Sequence, residues 1–131
     1  HSVWFRIFRA EYSPGTWIAH CLDFDVCAEA DSPLDAYCEG REVAAMTMMS
    51  GGARGADPRE RRAPQEDWDL LHSLMSRTEK IRLSDAWRRL ESGDSPYVMM
   101  YTVVDPRDCG DGDGAVTDHA PDVDPAFAEV A

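Results

Sequence analysis

The chain has 131 residues, of which 44% are apolar, and carries 25 acidic against 13 basic side chains, for a formal net charge of −12. This length and apolar content fit one globular domain, because domains cluster around ~100–150 residues. The acidity argues against binding to nucleic acid or to anionic lipid, since both need a field of Lys and Arg. A basic or amphiphilic partner is easier to accommodate.

The charge is distributed unevenly along the chain. Residues 1–50 hold 8 acidic and 3 basic side chains, residues 51–90 hold 7 and 9, and residues 91–131 hold 10 and 1. Within the last third, residues 105–131 alternate Asp, Gly, Pro and Ala without an apolar period. Such a composition cannot bury enough surface to offset the entropy of ordering it. We predict one domain over residues 1–104 and a flexible acidic tail over residues 105–131.

Targeting signals and disulfides are not expected. No apolar stretch approaches the ~20 residues of a membrane span, and the first residues lack the basic start and cleavage site of a signal peptide. The 4 cysteines are too few and too irregularly spaced for a disulfide framework. We therefore expect a cytoplasmic protein with reduced, mostly buried thiols.

The first 30 residues predict three antiparallel strands. Residues 3–9 are rich in β-branched and aromatic side chains, and the Ser-Pro-Gly at 13–15 is typical of a turn. The return strand is predicted over 16–22 and a third strand over 26–30. Period-two alternation assigns one face of these strands to the core. The core positions it selects are Phe5, Ile7, Trp17, Ala19 and Cys21.

A helix is predicted next, because Ser32 is a good N-cap and Pro33 is tolerated at the first helical position. The pattern runs to about Met49 and ends at the Ser-Gly-Gly of residues 50–52. Ala36 and Gly40 lie on its apolar face. A glycine in mid-helix lowers helix propensity by ~1 kcal/mol, so Gly40 indicates close approach of the helix to the sheet.

Residues 51–95 are interpreted as a helical insertion. One helix is predicted over 66–77, and a second begins with Ser84 as its cap and ends near residue 93, with 78–82 as the connector. We expect Trp68 and Trp87 to anchor the two helices on the free face of the sheet, as part of the core. Residues 97–104 are apolar on both faces and predict a final strand inside the sheet.

Two short segments resemble the N-terminal domain of the HicB family of antitoxins and its HicB-like relatives. They are the Trp-Ile-Ala-His-Cys-Leu-Asp-Phe of residues 17–24 and the Ala-Asp-Ser-Pro-Leu-Asp-Ala of residues 30–36, with the aromatic strand at 5–8 before them. The resemblance implies an α+β fold with a partial ribonuclease-H-like βββαβ sheet. In such a sheet one helix covers a face and the last strand returns beside the first.

The chain departs from the family pattern in three ways. Ala30 stands where relatives usually have Gly, and residues 51–95 replace a short connection. Antitoxins of this family commonly carry a C-terminal helix-turn-helix or ribbon-helix-helix module, and nothing after Val104 can form one. The connector at 78–82 also lacks the glycine turn of a DNA-binding helix pair. We therefore expect no direct binding to nucleic acid.

The leading functional hypothesis is a non-enzymatic HicB-like protein that binds another protein, with a small basic toxin as one candidate partner. Acidic side chains would complement such a partner and speed encounter. Partial sheets of this kind leave an open edge strand, so self-association is also expected, with a dimer favoured. The candidate partner-binding residues are Asp23, Phe24, Asp25, Asp31 and Asp35.

The alternative from another class is a small enzyme or ligand-binding domain with a pocket between the sheet and the inserted helices. Asp23, Asp25 and Asp31 could hold divalent ions as in ribonuclease-H-like enzymes, but turn hydrogen bonds and helix-dipole stabilisation explain them more simply. A third hypothesis is a regulatory module whose insertion, residues 51–95, defines a specialised partner.

Metal and cysteine chemistry are not predicted. His20, Cys21, Cys27 and Cys38 are potential zinc ligands, but no two of these cysteines have the C-x₂-C spacing of a zinc site. His20 and Cys21 are also neighbours on a strand, so their side chains point to opposite faces. The Asp-Gly-Asp-Gly of residues 111–114 lacks the acidic first and twelfth positions of a calcium loop. No cofactor, no metal and no catalytic residue is therefore proposed from the sequence.

Overall fold

The computed structural model describes residues 2–53, 62–75, 78–105, 107 and 126–129. They form an α+β structure, which confirms the predicted class. Its elements are β1 (Ser2–Arg9), β2 (Trp17–Cys21), β3 (Val26–Ala30), α1 (Pro33–Ala53), α2 (Gln65–Met75), β4 (Thr78–Ile81), α3 (Leu83–Ser92), β5 (Tyr97–Val103) and β6 (Ala126–Glu129). None of the helices in these ranges has the length and apolar character needed to cross a membrane.

The strands form one antiparallel sheet in the order β3-β2-β1-β5-β6-β4. The predicted return beside the first strand is observed, with Ile7 opposite Val98. Two strands were not predicted. β4 occupies the segment predicted as a connector, and β6 pairs with both β5 and β4 from within the predicted tail. The other residues after 107 lie outside the described ranges.

The main core lies between the sheet and α1. The predicted positions on β1, β2 and α1 are confirmed as buried: Phe5, Ile7, Trp17, Ala19, Cys21, Ala36 and Gly40. A Cβ placed on Gly40 would lie 2.9 Å from Cβ of Ala19 and 3.1 Å from Cε1 of Phe5, so the predicted close approach is also confirmed.

The two ends of α1 differ in how well the sequence predicts them. Its N-terminus is capped as predicted, since the Asp35 N–H donates to Ser32 Oγ at 3.1 Å. Its C-terminus does not stop at residues 50–52, because the helix continues through them to Ala53. The predicted glycine stop is therefore wrong.

The two inserted helices pack on opposite faces of the sheet. Trp68 of α2 is buried with Leu22 and Met99 on the face away from α1, whereas α3 joins the main core through residues such as Leu90. Trp87 of α3 is half-buried there. The expectation that both tryptophans anchor on the free face therefore holds for Trp68 alone.

The start of α3 also differs from the prediction. Its N-cap is Arg82, which makes no side-chain capping bond, and Ser84 lies inside the first turn. The end of α3 is as predicted: Gly93 adopts a left-handed conformation with φ 83° and its N–H bonds the carbonyls of Arg89 and Leu90.

Candidate functional site

The corner between β2 and β3 holds three of the five predicted partner-binding residues. Asp23 Oδ2 accepts a 2.7 Å hydrogen bond from the Trp4 backbone N–H, which ties the corner to β1. Phe24 is only 2% exposed and belongs to the main core. The prediction that Phe24 contacts a partner is therefore wrong, because its ring packs into the core beneath the corner.

Asp25 completes the corner in a left-handed conformation, with φ 53°. Asp is one of the few residues that adopts this conformation readily. Its side chain is 44% exposed, and Oδ1 lies 2.9 Å from Nε2 of His20. The carboxylate of Asp25 is therefore open to solvent and also orients the His20 side chain.

Asp31 and Asp35 lie at the opposite end of β3. Both are exposed, and Asp35 sits in the first turn of α1, where the helix dipole favours a carboxylate. β3 has 5 residues, so at about 3.3 Å per residue this end lies roughly 15 Å from the corner. The predicted residues thus mark two ends of one strand, and do not form a single cluster.

A polar row crosses the sheet on the face away from α1. Arg6 lies opposite His20, and His20 lies opposite Cys27. Burial lowers the pKa of Arg6, whose guanidinium carbon lies 4.3 Å from the centre of the Phe8 ring and 5.0 Å from that of Tyr97.

Cys27 is the one member of this row that could act as a nucleophile, but its environment opposes that role. Desolvation raises the pKa of the thiol, and the nearby carboxylates of Asp25 and Asp67 raise it further. A protonated thiol is a poor nucleophile and a poor metal ligand. Across the described residues no group of three His, Cys, Asp or Glu side chains is arranged to hold a metal ion.

β3 is the outermost strand on its side of the sheet. Within the described ranges β2 is its single strand neighbour, so alternate residues direct their N–H and C=O groups outward from the sheet. Glu29 is exposed on this strand and accepts a hydrogen bond from the Tyr12 hydroxyl. The open edge is therefore polar in both its backbone and its side chains.

α1 packs beside this edge, against β3 and β2. Its Tyr37 and Arg41 turn toward β5, where the Tyr37 hydroxyl lies 2.9 Å from Thr102 Oγ1 and Arg41 Nη2 donates to the Val103 carbonyl at 3.4 Å. Helical spacing places Asp35, Glu39 and Met46 together on the flank of α1 that faces solvent. The carboxylates of this flank are exposed, and Met46 is 59% exposed.

These features form one surface, which we call the β3 edge surface. It consists of the outer edge of β3 with the exposed side chains of Asp25, Glu29, Asp31, Asp35, Glu39 and Met46. Glu29, Glu39 and Met46 were not predicted. They could have been found from the strand order. If the third strand is expected at the rim of the sheet, then the exposed residues of that strand and of the helix that follows it are expected there too.

Comparison of the chain with protein-family models, with curated proteins and with solved structures finds no match. The description of the surface therefore depends on its geometry.

Proposed function

We propose that this chain is a non-enzymatic protein-binding domain of the HicB-like kind, and that its partner is a small basic protein of the type that antitoxins neutralise. The observation that carries the proposal is the collection of carboxylates around β3. Of the 8 acidic residues in positions 1–50, five lie exposed on the β3 edge surface. Complementary charge of this kind steers a basic partner and raises the association rate.

The order of the elements supports the HicB-like part of the proposal. Three antiparallel strands, a helix across one face and a later strand beside the first are what the resemblance implies, and β1, β2, β3, α1 and β5 have that order. The identity of the sheet as a partial ribonuclease-H-like sheet is part of this proposal.

The chemistry of the carboxylates favours binding over catalysis. Two-ion sites hold their metals about 4 Å apart. Asp23 and Asp31 lie at opposite ends of β3, and Asp23 is engaged by the β1 backbone. These side chains therefore cannot converge on a pair of ions.

The packing of the insertion bears on the alternative of a ligand pocket. Such a pocket would lie between the sheet and both inserted helices, but α2 and α3 pack on different faces. The space under α2 is filled by Trp68, Leu71 and Leu74, all buried. The protein-binding proposal needs no cavity, so it fits this arrangement better.

The test is to express the chain together with each small basic protein encoded next to it in its native genome. The proposal expects one of these proteins to arrest growth, the chain to restore growth, and the two to co-elute as a complex that dissociates at high salt. It is overturned if no neighbour encodes such a protein, or if arrest continues in the presence of the folded chain.

A further inference from the structure

We infer that the β3 edge surface binds its partner by strand addition, with an extended segment carrying Lys or Arg pairing along the outer edge of β3. This inference rests on the proposed function and specifies the mode of recognition. It identifies the partner's contact by chemistry: a stretch of backbone that can become a strand, with basic side chains on both of its faces.

The backbone of β3 supplies the first part of the argument. The strand is extended over Val26–Ala30 and is held in position by β2 on one side and by α1 on one face. Its outward N–H and C=O groups need hydrogen-bond partners. An incoming strand satisfies them with main-chain bonds, which provide affinity without requiring a particular sequence.

The side chains around the edge supply the second part. Successive residues of an added strand point to opposite faces. Those on the α1 face would lie beside the helix that carries the exposed carboxylates of Asp35 and Glu39, and those on the other face would meet Asp25 and Glu29. Because carboxylates border both faces, basic residues are favoured at neighbouring positions of the incoming segment.

The same charges disfavour a second copy of this chain as the occupant, although the sequence pattern favoured a dimer. Pairing of two β3 strands would bring two sets of five carboxylates together, with Glu29 on the pairing strand itself. Charged residues on an edge strand are a common means of preventing such self-pairing. A basic segment on the same edge would instead be attracted by these carboxylates.

The experiment measures binding of a fluorescent Val-Lys-Lys-Val-Lys-Lys-Val peptide by anisotropy, and amide hydrogen exchange of the chain with and without it, because neighbouring lysines place positive charge on both faces of a strand. A Pro-Lys-Lys-Pro-Lys-Lys-Pro peptide carries the same charge but cannot add as a regular strand, because proline lacks the N–H. The edge variant is Glu29→Lys with Glu39→Lys. The control variant is Glu66→Lys with Glu91→Lys, two exposed residues of α2 and α3 that change the net charge equally.

We expect the Val-Lys-Lys peptide to bind and to slow exchange in β3, and we expect the edge variant to weaken binding about ten-fold or more, while the control variant changes it little. Circular dichroism verifies that both variants fold. The inference is overturned if the Pro-Lys-Lys peptide binds equally well, or if both variants lose binding equally, since either result means unspecific charge attraction. It is also overturned if sedimentation shows a dimer whose β3 amides are protected without peptide.

Failure of this inference is distinguishable from failure of the proposed function. A small basic partner that binds the chain but leaves exchange in β3 unchanged overturns strand addition and leaves the protein-binding function standing. If neither that partner nor the peptide binds, both proposals fail.

Discussion

Gly40 allows α1 to approach the sheet more closely than a residue with a side chain would. The contact of 2.9 Å that a Cβ would make with Ala19 is shorter than real Cβ contacts, and the atom it meets belongs to a rigid strand. Close packing of α1 on the sheet therefore offsets the ~1 kcal/mol of helix propensity that a mid-helix glycine loses. This is the residue that sets the spacing of the two layers.

Substituting Gly40→Ala should lower the free energy of unfolding, because overpacking costs about 1–3 kcal/mol and the gain in helix propensity is about 1 kcal/mol. Gly40→Val should lower it further. Gly15→Ala is the matched control, since nothing lies within 4 Å of a Cβ there. Denaturant unfolding monitors all three. A Gly40→Ala variant as stable as the native chain would mean that α1 lies farther from the sheet.

Cys21 makes the protein sensitive to alkali. Burial raises the pKa of its thiol from 9.0 to about 12, so the folded state holds the proton more tightly than the unfolded state. The stabilisation is complete below about pH 9 and is lost as the pH rises toward 12. Because Cys21 is fully buried in the core, ionising it would place a charge among apolar side chains.

We expect the free energy of unfolding to fall as the pH rises above about 9, and to fall less steeply in Cys21→Ala. The slope is the readout, because Cys21→Ala also removes packing and shifts the whole curve. Urea unfolding at several pH values measures it, and the other groups that titrate there contribute to both chains. Equal slopes would show that Cys21 is not the group responsible.

At the scale of single elements, the caps of α1 and α3 offer a direct comparison of two serines. Ser32 accepts the Asp35 N–H, whereas Ser84 caps nothing because α3 begins at Leu83. Ser32→Ala should therefore cost about 1 kcal/mol of unfolding free energy. Ser84→Ala should change it by a few tenths at most, since Ala is a better helix former. Thermal or urea unfolding of the two variants separates them, and equal losses would contradict the assignment of the caps.

The elements that the sequence predicts well are those with a strong local period. β1, β2 and β3 alternate buried and less buried side chains, and α1 begins with a clear capping signal. β4 and β6 have 4 residues each, too few for a period to be recognised. They exist as strands through pairing with each other, and for β6 also with β5, which are contacts between distant parts of the chain.

The candidate surface shows the same limit at the scale of the whole molecule. Of the residues proposed to bind a partner, Asp25, Asp31 and Asp35 are exposed, but Phe24, between two aspartates, is buried. Only the three-dimensional arrangement shows that α1, which carries the exposed Glu39 and Met46, packs against β3 at the rim of the sheet. The strand order brings these carboxylates to one edge of the sheet, and local sequence patterns do not reveal that order.

One side of the sheet depends on its last described strand. β6 comes from the far end of the chain and lies between β5 and β4, and β4 pairs with no other strand among the described residues. Removing residues 126–131 should therefore expose the outer edge of β5 and release β4 from the sheet. The four strands β3, β2, β1 and β5 pair without β6 and should remain folded.

Amide hydrogen exchange tests this dependence. In the truncated chain we expect faster exchange over Thr78–Ile81 and at those amides of residues 98–100 in β5 that point toward β6, while exchange in β2 stays slow, because local opening follows the loss of pairing partners. Removing residues 130–131 alone shortens the same terminus without deleting the strand and serves as the control. If β4 stays protected in the longer truncation, its backbone is paired elsewhere and the strand order proposed for this side of the sheet is wrong. If exchange accelerates throughout β1 and β2 as well, β6 closes the whole sheet, and the C-terminal segment belongs to the folding unit.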